Sequence, residues 1–172
     1  MSKNGDKIDR LRKKIDALAQ QAITTIESKR LGDSVTETIR RRTRQGYGVD
    51  SAGNRTKLKA LTDEYVETRR RYSDDLSEFT TPKKSNLTAT GQMLDAMRGV
   101  ASRGRIEVEI AGSRKPGLGG QRSKISNSTL ARYVQEMGRQ FFGLTKPERT
   151  GLVRQVKLIF LRALRAGLNT NK

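Results

Sequence analysis

Arg105-Ile106-Glu107-Val108-Glu109-Ile110-Ala111 decides the fold. Ile106, Val108 and Ile110 alternate with Arg105, Glu107 and Glu109, a period of two that places the apolar side chains on one face of a strand. Val100 to Ser102 supplies a partner strand and Arg103-Gly104 the turn between them, so the stretch predicts a β-hairpin. The other apolar patterns along the chain have helical spacing. Helices, a small antiparallel sheet and then helices again predict an α+β fold, with a long N-terminal helix and a C-terminal helix among those that pack the sheet.

Upstream of the hairpin, Leu87 to Met97 predicts a helix capped by Thr88 or Thr90, with Leu94 and Met97 as buried anchors. Ser73 to Ser85 is polar and contains Pro82, which predicts an exposed loop. A short helix is expected from Thr62 to Tyr72, with Leu61, Tyr65 and Tyr72 toward the core. Gly46 to Asn54 is turn-rich and predicts an ordered loop anchored by Tyr47 and Val49. The first helix runs from Lys7 to Ser28. Its stripe of Ile8, Leu11, Ile15, Leu18, Ala22 and Ile26 suits packing on its own domain or on a neighbour. Gly32 is expected to end it, and Asp33 or Ser34 to cap a second helix from Val35 to Arg44.

Downstream, Gly112 to Ser126 is rich in Gly, Lys, Arg and Ser and predicts a segment that is mobile in an isolated subunit and ordered by assembly. Asn127 or Ser128 then caps a helix through Met137 with Leu130, Val134 and Met137 inward, and Gly138 stops it. Thr145 caps a last helix from Pro147 to Ala166, whose apolar face is Leu152, Val156, Ile159, Phe160, Ala163 and Leu164. The organisation is a helical N-terminal region over 1–45, an α+β core over 46–166 and a frayed tail over 167–172.

Composition limits the chemistry. The 172 residues include no Cys, His or Trp, so disulfides, Cys/His zinc sites and Ser-His-Asp or Cys-His catalysis are excluded. Leu, Ile, Val and Phe make up about 22% of the chain, just above the level below which highly charged chains stay disordered. Such a thin core, with a net charge of +18, suits a protein completed by partners, nucleic acid or its own copies. No segment has the length and apolarity of a membrane span or export signal, which predicts a soluble protein made in a cytoplasm.

Two catalytic patterns fail on inspection. Gly117 to Lys124 follows a strand and precedes a helix, as a phosphate loop does, but ends Arg122-Ser123-Lys124 rather than Gly-Lys-Ser/Thr. Asp74-Asp75 and Glu107/Glu109 are carboxylate pairs without the differing, partly buried environments that acid/base work requires. The chain is expected to be no enzyme and to need no cofactor or metal. The basic residues Arg40, Arg41, Arg42, Arg44, Arg114, Lys115, Arg122 and Lys124 are candidates to face DNA or an acidic protein. Taken alone, the charge divides evenly between nucleic-acid binding and a face that is solvated or meets an acidic protein, and it is the whole motivation for the alternative reading, a stand-alone basic nucleic-acid-binding protein.

Three segments go beyond composition. Leu87-Thr88-Ala89-Thr90-Gly91-Gln92-Met93-Leu94-Asp95-Ala96-Met97 resembles the L-x-x-T-G-x-[ML]-x-x-[SA]-[IM] segment of bacteriophage neck and tail-completion proteins, the virion morphogenesis group. Gly48-Val49-Asp50-Ser51-Ala52-Gly53-Asn54, followed by Leu58, Leu61 and Tyr65, is similar to the family's G-x-D-x-x-G…L…Y segment. Ala131 to Gly138, followed by Arg139-Gln140-Phe141-Phe142-Gly143-Leu144, is similar to its A-x-Y/H-x-E-x-G…R-x-F-x-G-L segment. The three occur in the family's order, and the resemblance spans about Gly46 to Ala166. On it, Gly48, Asp50, Gly53, Leu87, Thr90, Gly91, Met93, Leu94, Met97, Gly138, Arg139, Phe141 and Phe142 are fold-defining residues.

The resemblance implies assembly. Such proteins form homo-oligomeric rings, usually six- or twelvefold, in the neck of the virion, where they complete the tail and join it to the head connector. DNA passes through the lumen. The implied partners are copies of the chain, portal or head-closure (adaptor) proteins, tail-terminator or tail-tube proteins and, transiently, genomic DNA, with assembly in the bacterial cytoplasm. A ring needs two different patches on each subunit, meeting head to tail.

Overall fold

The computed structural model describes residue 13 and residues 25–102, 105–120 and 125–169. Among them are five α-helices and two antiparallel sheets of two strands each, an α+β architecture. Most of the expected helix from Lys7 to Ser28, the Arg103-Gly104 turn and the tail beyond Asn169 lie outside the described residues.

Helix α1 (Thr25–Arg44) is continuous through Gly32, which corrects the helix stop expected there. The local sequence imitates a C-terminal glycine followed by Asp and Ser caps, but the glycine serves a distant contact. Gly32 is buried against the backbone of Gly99, and a side chain would hold helix and strand apart.

Strands β1 (Tyr47–Val49) and β2 (Arg55–Lys57) form a small hairpin where a loop was expected. Three-residue strands are too short to show a period in sequence. Tyr47 and Val49 do anchor the segment, since Val49 is buried and its N–H donates to the Gln140 carbonyl at 2.8 Å.

Helix α2 (Asp63–Arg71) starts at Thr62, whose hydroxyl accepts the Tyr65 N–H. Tyr65 stays exposed rather than turning to the core, and the buried residue of this helix is Arg69. The following loop is folded around that arginine rather than left open, as the polar composition of Ser73 to Ser85 suggested. Arg69 donates to the Lys84 carbonyl at 2.9 Å and to Thr80 Oγ1 at 2.6 Å, and Thr80 Oγ1 donates to Asn86 Oδ1 at 2.8 Å. Buried Asn86 in turn donates to the Arg44 and Phe79 carbonyls.

The predicted helix at Leu87 to Met97 shrinks to one turn, α3 (Gln92–Asp95). Its cap is Gly91, in the left-handed region at φ 74°, and not a threonine side chain. The chain then enters the hairpin of β3 (Met97–Ser102) and β4 (Arg105–Ile110), with Ser102 opposite Arg105 and Met97 opposite Ile110. The period of two in β4 is observed: Ile106, Val108 and Ile110 are half-buried and the residues between them exposed.

Helix α4 (Asn127–Glu136) is capped by Ser126, one residue earlier than expected, through its hydroxyl to the Thr129 N–H at 3.1 Å. It buries Ala131 and Val134. Met137 lies beyond its end and is 55% exposed, which corrects its expected place in the core. Helix α5 (Lys146–Asn169) begins with a reciprocal capping box, Thr145 N–H donating to Glu148 Oε2 at 2.8 Å and Glu148 N–H to Thr145 Oγ1 at 3.5 Å.

One core joins these elements: Ile39, Leu58, Met93, Leu94, Met97, Ala131, Val134 and Phe141. Full burial of a side chain such as Leu94 contributes about 1.5–3 kcal/mol. Along α5 no described side chain is buried, and Leu152, Val156, Ile159 and Phe160 are half-buried. No helix among the described residues is long and apolar enough to cross a membrane.

Candidate functional site

The three segments singled out in the sequence meet in one body. Gly48 lies so close to the third segment that a Cβ on it would stand 2.0 Å from the Gln140 carbonyl oxygen. In the same segment Asp50 closes the turn, accepting the Asn54 N–H at 2.7 Å and its side-chain amide at 3.1 Å. Those two bonds hold the Asp50 carboxylate below the usual carboxylate range. The carbonyl of Gly53 accepts the Lys146 N–H at 2.8 Å, tying this turn to the start of α5.

Met93, Leu94 and Met97 from the second segment share the core with Phe141 from the third, and Phe141 is fully buried. Phe142 is 36% exposed, so only one of the two phenylalanines anchors the chain. Gly138 directly follows α4's C-cap, and Arg139 then reaches back to the Lys59 and Ala60 carbonyls at 3.3 and 3.0 Å.

The basic run at the end of α1 is largely internal. Arg40 donates to the Leu94 and Met97 carbonyls at 3.1 and 3.0 Å. Arg42 is 3% exposed, donates to the Phe141 and Gly143 carbonyls at 2.7 and 2.9 Å, and is ion-paired with Glu148. Burial pulls its pKa below the ordinary arginine value against the opposing pull of Glu148. Arg44 pairs with Asp95 at 2.9 Å and lies over the Phe79 ring at 3.8 Å. Thus Arg40, Arg42 and Arg44 staple the second and third segments to α1, and Arg41 alone of the four is exposed.

Over its described residues, the segment expected to be mobile is attached to its own domain. Gln92 bridges to it through the Lys115 N–H at 2.8 Å and the Pro116 carbonyl at 3.0 Å, and Asp75 accepts the Gly119 N–H at 2.7 Å. Arg114 is half-buried and the Lys115 side chain exposed, while Arg122 and Lys124 lie outside the described residues. Glu107 and Glu109 pair with Arg105 and Arg98 along the hairpin.

Between α2, the 87–93 turn and α4 lies an apolar groove of about 450 Å³. All three segments contribute: Leu61 and Tyr65 follow the first, Leu87, Thr90, Gly91 and Met93 come from the second, and Val134, Met137 and Arg139 from the third. Leu87 lines it from a backbone at φ 56°, a conformation costing a leucine on the order of 1 kcal/mol. Arg69 lines it as well, and sequence inspection gave no sign of that because burial of an arginine depends on distant loops. The described residues contain no cluster of three or more acidic side chains able to hold a metal. No family model, curated protein or solved structure matches the chain.

Proposed function

We propose that this chain is a structural virion protein: a subunit of a homo-oligomeric ring in a phage neck, which completes the tail and joins it to the head connector around the passing DNA. On this reading it has no catalytic residue and no cofactor. Its partners are its own copies, portal or head-closure proteins above and tail-terminator or tail-tube proteins below.

What carries the reading is the convergence of the three resembling segments, whose quoted residues interlock through Gly48 with Gln140, and through Met93, Leu94 and Phe141 in one core. Helix α5 adds support, since Val153, Leu158 and Leu161 are large apolar side chains about half exposed, as in a subunit that buries surface against neighbours. The inward use of Arg40, Arg42 and Arg44 weakens the competing reading of a stand-alone DNA binder, which leaned on that run. Cryo-electron microscopy of the virion tests the proposal. Density for this fold in a ring at the head–tail junction is expected, and its absence there would reject it.

A further inference from the structure

We infer that the groove between α2, the 87–93 turn and α4 is a docking site for an acidic, apolar peptide segment of another protein. Its walls include Leu61, Leu87, Met93, Leu130 and Val134, and Tyr65 and Met137 line it with 40% and 55% of their surfaces in water. Large apolar side chains left at the rim of an apolar groove are what a docked segment covers.

Charge selects the occupant. None of the lining residues is acidic, and Arg69, Arg114 and Arg139 are basic. Arg69 is the telling one. It is 1% exposed, has no carboxylate within ion-pairing distance among the described residues, and its Nε has no hydrogen-bond partner. Its other bonds go to the neutral acceptors Lys84 carbonyl and Thr80 hydroxyl, and its guanidinium lies 5.8 Å from the centre of the Tyr65 ring, a weak cation–π contact and no anion. A buried cation beside apolar walls is costly without an anion, and a carboxylate arriving with apolar side chains supplies both missing halves.

A second copy is a poor source. The chain carries +18, and its one stretch of matching chemistry, Asp74-Asp75-Leu76-Ser77-Glu78-Phe79, is tied into its own fold, with Asp75 accepting the Gly119 N–H, Leu76 half-buried and Phe79 under Arg44. Duplex DNA matches the charge and not the recessed apolar walls. The inference rests on the neck proposal only for where the segment comes from: an acidic tail or loop of an adjoining neck protein.

The test uses the full chain with isotope-labelled methionine methyl groups. It is titrated with the acetylated, amidated peptide ELEFLE and with its neutral analogue QLQFLQ. The Met93 and Met137 methyl signals should move saturably with ELEFLE while Met97, outside the groove, stays put. The neutral analogue should bind roughly tenfold more weakly, the worth of one charge-assisted hydrogen bond. Arg69→Met should abolish that preference. Met137→Glu, at an exposed position where folding is not at stake, should weaken ELEFLE binding more than QLQFLQ binding.

Several results would overturn the inference: no shift at Met93 and Met137, a preference for ELEFLE that survives both substitutions, shifts on concentrating the protein alone, or duplex DNA displacing the peptide from the same two methyls. Failure of the peptide leaves the ring proposal standing. A virion without the protein at its neck leaves a peptide-binding groove standing.

Discussion

Gly99 in β3 and Gly32 in α1 lie backbone against backbone, so close that a Cβ on Gly99 would stand 2.2 Å from the Gly32 carbonyl carbon. The atoms in the way are main chain, which cannot swing aside as a side-chain tip can. Gly99→Ala must therefore push the hairpin off the helix. We expect a loss of about 1–3 kcal/mol, the cost of overpacking, in urea denaturation. Gly32→Ala meets Gly99 Cα at 3.0 Å and gains about 1 kcal/mol of helix propensity, so it should be the milder of the two. The reverse order would show that helix and strand do not touch there.

Glu148 holds two structures at once, the buried Arg42 guanidinium and the capping box of α5. Glu148→Gln keeps the shape and removes the charge, leaving Arg42 buried beside carbonyls alone. A loss of about 2–3 kcal/mol is expected in chemical denaturation, as for breaking a buried pair whose acid is partly solvated. Glu148→Ala should cost about 1 kcal/mol more through the lost cap.

The two adjacent phenylalanines should separate cleanly. Phe141→Ala empties a fully buried site and is expected to cost about 3–5 kcal/mol, whereas the half-exposed Phe142→Ala should cost under about 1 kcal/mol. Thermal unfolding of both variants distinguishes this from a shared anchor.

Asp50 should titrate below an ordinary aspartate, because Asn54 donates two hydrogen bonds to its ionised form. A folded-state pKa lowered in this way contributes stability above the unfolded value of about 3.9, and that contribution is lost as pH falls through the folded value. Following the Asn54 amide by NMR should give a midpoint below that of a peptide aspartate. Asp50→Asn should erase the transition.

Local patterns were legible in proportion to how local their causes are. Ile106, Val108 and Ile110 announce their strand because alternation is a property of the strand itself. The cap at Thr145 follows from neighbouring residues. Gly32 was misleading because its reason is 67 positions away at Gly99. Strands β1 and β2 leave no period in three residues each, and they depend on Gln140 and Leu58 to hold them. The groove was half visible. Its walls are residues already marked by the resembling segments, but the recessed cation is not, since Arg69 looks like the solvent-facing residues Arg70 and Arg71 beside it.

Helix α5 is two-sided along its described length. On one side it adjoins α1, with Glu148, Gly151, Leu152 and Gln155 near Ser34, Val35, Thr38 and Arg41, and Val156, Ile159 and Phe160 continue that side half-buried. On the other side Val153, Leu158 and Leu161 stand about half exposed, within a rise of about 12 Å at 1.5 Å per residue. The helix thus turns one apolar side to its own fold and the other to water.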